Sequence, residues 1–98
     1  MKIIGTGSSL PQKVVTNDDL AAIMDTSDEW ISSRTGIRKR HIATTETTTS
    51  LAVEAVKAAL SDAGTDGSEI DLIIAASVTG DKIVPSLACR IQAEIGAD

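Results

Sequence analysis

The segment Ile70-Asp71-Leu72-Ile73-Ile74-Ala75-Ala76-Ser77-Val78 constrains this chain most. Its centre is an unbroken apolar run with polar turn residues on either side. A run this short, with no polar face, reads as a strand covered on both sides, and such strands sit centrally in parallel sheets. Helices must supply the cover, and two helical patterns flank the run. From about Ser50 to Ala63, the residues Leu51, Val53, Ala55, Val56, Ala59, Leu60 and Ala63 form a broad apolar stripe at helical spacing, closed by Gly64. In a last helix, with Pro85 in its first turn, Leu87, Ile91 and Ile95 share one face and Gly96 closes the element. Thr65 to Glu69 is a polar turn, and Thr79-Gly80-Asp81-Lys82 is a loop.

Upstream, Lys2 to Leu10 reads as a first strand that runs into a loop at Pro11. Thr16 or Asn17 caps a short helix from Asp18 to Met24. Ser27 caps a second helix, which carries Asp28, Glu29, Trp30, Ile31 and Arg34 and stops at Gly36. Ile37 to Ile42 holds Arg38, Lys39, Arg40 and His41 and reads as an extended segment or edge strand, where charge deters pairing with another chain. The Thr-rich stretch that follows Ala43 leads to the next helix. The order β-α-α-β-α-β-α calls for an α/β layered fold. The series ends on a helix, and a sheet of two or three strands lacks neighbours to cover it. The pattern is therefore the one expected of a segment of a larger fold.

Ninety-eight residues make at most one domain, and a chain of this size buries only roughly 60–65% of the surface its unfolded form exposes. The net charge of −5 speaks against a general nucleic-acid binder. No apolar run approaches the roughly 18 residues of a membrane span. Met1-Lys2 leads straight into Ile3-Ile4-Gly5, without the apolar stretch of a signal peptide. The single Cys89 forbids an internal disulfide, and together these features set the expectation of a cytoplasmic protein. No linker composition and no internal repeat divides the chain.

Trp30 is the one aromatic residue among Phe, Trp and Tyr. The core must pack with Ile, Leu, Val and Ala, so the lone indole draws attention as a functional group. Arg34 lies one helical turn on, which puts both flat side chains on one face. Splayed apart, an indole and a guanidinium can clamp a purine, and each base–aromatic stack is worth about 1–3 kcal/mol. Arg38, Lys39 and Arg40 follow closely and could meet phosphates. The plainer reading of the same spacing is a surface Trp–Arg pair stacked on itself, beside a solvated basic run.

Other candidates are weaker. Cys89 falls inside the last helix next to Arg90 with no residue to act as base, so it reads as a structural thiol. His41 is the only histidine, and without a His/Cys cluster no metal site is expected. Gly5-Thr6-Gly7-Ser8-Ser9-Leu10 lacks the third glycine of a dinucleotide fingerprint and fits a tight strand-to-loop exit better. Asp18, Asp19, Asp25, Asp28 and Glu29 suit helix starts without a metal.

Asp25-Thr26-Ser27-Asp28-Glu29-Trp30-Ile31, followed by Arg34-Thr35-Gly36-Ile37-Arg38, resembles the β-ketoacyl-acyl carrier protein synthase III family of the thiolase-like superfamily. Ile4-Gly5-Thr6-Gly7-Ser8 with Leu10-Pro11, and Pro85-Ser86-Leu87-Ala88-Cys89 with Ile91-Gln92, resemble the same family in the same order along essentially the whole chain. The resemblance implies an α/β fold, with residues 1–98 forming the N-terminal part of a thiolase-like half. That fold has a mixed, mainly parallel sheet with helices and is incomplete in this chain. It also implies a homodimeric acyltransferase that condenses an acyl-CoA, usually acetyl-CoA, with malonyl-acyl carrier protein to start type II fatty-acid synthesis. A cysteine would take the acyl group as a thioester, and a later His and Asn would assist decarboxylation.

By the same resemblance Trp30 and Arg34 sandwich the CoA adenine, Thr26 lies near it, and Val84 reaches across the dimer to line the partner's acyl pocket. The CoA thioester is a substrate, with no permanently bound cofactor and no metal. The nucleophile would come shortly beyond Asp98 and the His and Asn in a second half, so no catalytic residue is expected within residues 1–98. Two further readings remain at this stage. One is a short non-catalytic CoA-binding or dimerisation module; the other is a polyketide or specialised lipid member of the superfamily. The residues encoded after Asp98 separate the module from the enzyme: an Ala-rich stretch with a Cys and then Gly supports the enzyme, and a stop codon the module.

Overall fold

The computed structural model describes every residue from Met1 to Asp98. The chain divides into two compact units, Met1–Ser9 with Glu46–Asp98, and Leu10–Thr45. Nothing in the composition announces this division.

The unit Leu10–Thr45 is built on a short antiparallel ladder. Strand β1 (Lys13–Thr16) pairs with β2 (Lys39–Ile42), Val14 opposite His41 and Val15 opposite Arg40. β2 is the extended segment expected around 37–42. Its partner β1 was not expected, since Lys13-Val14-Val15-Thr16 is too short to show an alternating pattern.

Helix α1 (Asn17–Ala21) follows at once, with Thr16 as its cap. The Thr16 hydroxyl accepts the Asp19 N–H at 3.2 Å, and the Asp19 carboxylate accepts the Thr16 N–H at 2.9 Å, a reciprocal capping box. The helix stops at Ala21 instead of reaching Met24: the Ile23 N–H reaches back only three residues to the Leu20 carbonyl, which tightens the last turn, and the Met24 N–H shares that oxygen. Helix α2 (Asp28–Thr35) has the expected limits: Ser27 Oγ accepts the Trp30 N–H at 3.2 Å, and Gly36 takes the left-handed conformation at φ 72°. Of its residues only Ile31 is buried, so α2 has no apolar stripe to seat it.

The other unit packs helix α3 (Thr48–Ala63) against α4 (Leu87–Ile95), with Val53 and Ile91 as its buried hydrophobic residues. α3 starts two residues before Ser50, because Thr47 caps it and Ser50 closes the box. Gly64 and Gly96 end the two helices in the left-handed region, at φ 65° and 72°. Ser86 caps α4, so Pro85 lies just outside the helix and not in its first turn. Within the polar turn, Gly67–Glu69 forms one 3-10 turn capped by Asp66.

The mainly parallel sheet is absent from these residues. Neither residues 2–10 nor residues 70–78 form a strand, and the one sheet is the antiparallel β1–β2 pair. A strand exists only through its ladder, and these two segments do not pair. Both instead line an open apolar cavity of about 330 Å³, the first segment through Ile4 and Gly5 and the second through Leu72, Ile73 and Ile74. Ile3, Ile4, Leu72 and Ile74 are consequently exposed. The architecture is α/β, and partial.

The glycines of the first segment have a packing role. A Cβ on Gly7 would lie 2.2 Å from the Ala55 carbonyl oxygen and 2.4 Å from the Ala59 nitrogen. One on Gly5 would lie 2.7 Å from the Ala59 oxygen. The segment therefore rests main chain against α3, and two acids of that helix hold it. Asp62 accepts the Thr6 N–H at 3.0 Å, and Glu54 accepts the Ser9 hydroxyl at 2.6 Å.

Candidate functional site

The sequence-nominated residues fall in both units. Trp30, Arg34 and Thr26 belong to Leu10–Thr45, and Val84 to the other unit.

Trp30 sits in the first turn of α2 and is exposed. Arg34, in the last turn, lies on the same face, with its guanidinium carbon 4.8 Å from the indole centroid. The helical spacing thus brings the two together as expected, but closed on each other. A base between two planes needs about 7 Å, twice an ordinary contact of about 3.5 Å, so the slot between these two is shut. Beside the indole, Asp25, Thr26, Ser27 and Trp30 line an open depression of about 350 Å³. Thr26 Oγ1 is buried there and has no hydrogen-bond partner. A buried polar atom without a partner costs about 1–3 kcal/mol.

What seats α2 is polar. Asn17, at the start of α1, is only 1% exposed. Its amide nitrogen donates to Asp28 Oδ1 at 2.8 Å and to the Ile37 carbonyl at 2.7 Å, with Ser32 Oγ at 3.3 Å. Its carbonyl oxygen accepts from Arg40 at 2.6 Å, and its N–H donates to the Arg38 carbonyl at 3.1 Å. The Asn17 amide, then the Ser32 hydroxyl, hold the Asp28 carboxyl below its ordinary value against a smaller opposing cost of desolvation, and the Arg38 charge adds to the effect. Sequence reasoning missed Asn17 as anything beyond a possible cap. The only available signal was its place between Thr16 and two aspartates, which fits a cap equally well.

The basic run divides. Arg40 is committed inside the unit, donating to the Val15 carbonyl at 3.3 Å as well as to Asn17, so it does not face outward for phosphates as the sequence suggested. Arg38 and Lys39 remain exposed. The His41 ring Nδ1 lies 2.7 Å from the Pro11 carbonyl, a bond that ties β2 to the residues before β1. No three His, Cys, Asp or Glu side chains converge to hold a metal ion.

In the other unit Val84 is exposed in the irregular stretch before Pro85, joined to it by a cis peptide, with exposed Ile83 beside it. Asp81 fastens this stretch to α3, accepting the Thr48 N–H at 3.1 Å and the Thr49 N–H at 2.8 Å. It also lies 3.7 Å from Arg90 on α4. Cys89 is exposed in the first turn of α4, with the Ser86 hydroxyl 3.2 Å from its sulfur. No helix is long and apolar enough to cross a membrane.

No family model matches the chain. A β-ketoacyl-[acyl-carrier-protein] synthase III of Streptococcus pneumoniae (strain Hungary19A-6) is 56% identical over 97 residues, which is 99% of this chain and 30% of the relative. The crystal structure of 3-oxoacyl-[acyl-carrier-protein] synthase III from Aquifex aeolicus VF5 matches with a TM-score of 0.94 at 54% identity, covering 97% of this chain and 31% of that one. The crystal structure of the priming β-ketosynthase from the R1128 polyketide biosynthetic pathway matches at 0.93 and 38% identity, covering 99% and 30%. The chain spans about 30% of the length of the curated relatives it matches. Along its whole length it is therefore homologous to β-ketoacyl-[acyl-carrier-protein] synthase III, with part of that thiolase-like fold.

Proposed function

We propose that residues 1–98 serve as the part of an acyltransferase that receives the adenine end of an acyl-CoA and contributes dimer contacts. The whole enzyme condenses acyl-CoA, acetyl-CoA above all, with malonyl-acyl carrier protein through a cysteine thioester and so starts type II fatty-acid synthesis. The observation that carries this reading is the 56% identity to the Streptococcus pneumoniae synthase over 99% of the chain. The catalytic Cys, His and Asn lie outside these residues in this reading. CoA enters as a substrate and no cofactor stays bound. The enzyme works in the cytoplasm as a homodimer.

The local chemistry agrees with an adenine at Trp30. The indole is exposed beside the depression, and a purine has the flat face that an indole stacks on. Thr26 lines the same depression, and rotation about its Cα–Cβ bond would bring its buried, unpartnered hydroxyl out to a ring nitrogen or the exocyclic amine. Arg34 swings off the indole to cover the base from its other side. Exposed Arg38 and Lys39 supply charge for the phosphates. Exposed Val84, in this reading, lines the acyl pocket of the opposite protomer.

Trp30 is the only fluorophore of its kind, so its emission reports one place. In the full-length protein CoA quenches it, and Trp30→Ala loses at least fivefold, about the equivalent of one lost stack, in acetyl-CoA affinity. Unchanged emission at millimolar CoA in a folded protein rejects the adenine site. A second reading, a priming enzyme of a polyketide pathway, draws on the match to the R1128 ketosynthase. The acyl-acceptor separates the two: condensation on the carrier protein of fatty-acid synthesis fits initiation of that pathway, and condensation only on a polyketide carrier protein fits polyketide priming.

A further inference from the structure

We propose that Asn17 is a positioning residue for the nucleotide end of CoA, acting through α2. The inference rests on the reading of Trp30 given above and goes beyond it. α2 carries both Trp30 and Arg34, yet it buries only Ile31. A single apolar anchor lets a two-turn helix slide and rotate, because the hydrophobic effect has no direction. Hydrogen bonds do have direction, and Asn17 supplies them. One half of its amide grips Asp28, the first residue of α2, and the Ile37 carbonyl just beyond Gly36, so the same group holds the helix at its start and after its end. The other half is held by Arg40 of β2. Ser32, one turn along α2, donates to the same Asp28 oxygen at 3.1 Å and closes the network.

Every polar atom of the Asn17 side chain is used, and the residue is sealed from water. Such a network specifies one arrangement, since any shift leaves a buried partner unmade. No ligand atom needs to reach Asn17; its effect passes through the position of the indole. A displacement of about 1 Å at a binding group can change a rate up to a hundredfold.

The test compares two acyl donors in the full-length enzyme, acetyl-CoA and acetyl-pantetheine, the second of which has no nucleotide. The quantity read is the ratio of their kcat/KM values. Trp30→Ala lowers that ratio about tenfold. Asn17→Ala is expected to lower it at least fivefold, and the double variant to fall no further than Trp30→Ala alone, since both act on one contact. Should Asn17→Ala unfold the protein, Asp28→Ala removes the same clip from the half-buried α2 side and is expected to lower the ratio likewise. An unmoved ratio in the Asn17 and Asp28 variants, with Trp30→Ala effective, overturns the positioning role and leaves the adenine site standing. Equal losses on both donors also overturn it, because a general structural defect does not distinguish the nucleotide. An unmoved ratio in Trp30→Ala rejects the adenine site itself, and the positioning role with it.

Discussion

Asp81 and Thr49 are joined twice: one carboxylate oxygen accepts the Thr49 N–H at 2.8 Å and the Thr49 hydroxyl at 2.6 Å. The other oxygen takes the Thr48 N–H, so a loop residue satisfies two of the free donors at the start of α3. Asp81→Ala is expected to speed hydrogen exchange at the Thr48 and Thr49 amides and to loosen the stretch that carries Val84. Asp81→Asn keeps one acceptor, and its exchange is expected to fall between that of Asp81→Ala and the unaltered protein. Unchanged exchange at both amides would show that water replaces the carboxylate without loss.

Three carboxyls should make the fold acid-sensitive. Asp81 is held low by its Thr49 bonds, Asp28 by Asn17, and Asp19 by the Thr16 N–H. A carboxyl with a depressed folded pKa stabilises the fold above its unfolded value of 3.8, and that contribution disappears as pH falls through the lower folded value. The urea midpoint is therefore expected to hold steady down to about pH 5 and to drop steadily below the ordinary carboxylate range. Asp81→Asn should flatten part of that drop. A midpoint that rises on acidification contradicts the assignment.

Two glycines should differ in what they tolerate. Gly36 has φ 72° and open space where a Cβ would stand, so Gly36→Ala carries only backbone strain, about 1–2 kcal/mol. Gly7→Ala drives a methyl into the main chain of α3 and is expected to cost about 3 kcal/mol or more. Chemical denaturation of the two variants checks the order.

Arg34→Ala uncovers one face of the indole. An exposed cation–π contact is worth about 0.5–1 kcal/mol, so stability should change little while the Trp30 emission shifts. Arg34→Lys keeps the charge but loses the planar group and should behave more like alanine than like arginine in CoA binding. Wild-type CoA affinity in both variants argues that the base stacks on Trp30 alone.

Local signals were legible where the physics is local. Ser27, Gly36, Gly64 and Gly96 bound their helices as expected, because capping and left-handed turns involve a few neighbouring residues. The apolar run at Leu72–Ala76 announces burial, but burial is not pairing. Which strand lies beside it depends on chain far away, so a parallel ladder does not follow from the run alone. Asn17 was invisible for the same reason: its partners Asp28, Ile37 and Arg40 stand 11, 20 and 23 residues on. Arg40 looked like one cation of a solvated run, and only the β1–β2 register turns it inward. The Trp30–Arg34 contact followed from helical spacing, while the closed slot between them depends on side-chain torsions that no pattern encodes.

The contact beneath Gly7 has a genetic consequence. The atoms crowding that position belong to the Ala55, Ala58 and Ala59 backbone. Trimming side chains on the helix makes no room there, because every residue type keeps the main-chain atoms that crowd Gly7. A screen for second-site suppressors of a Gly7 replacement should return true revertants and glycine-restoring codons, and no compensating change along α3.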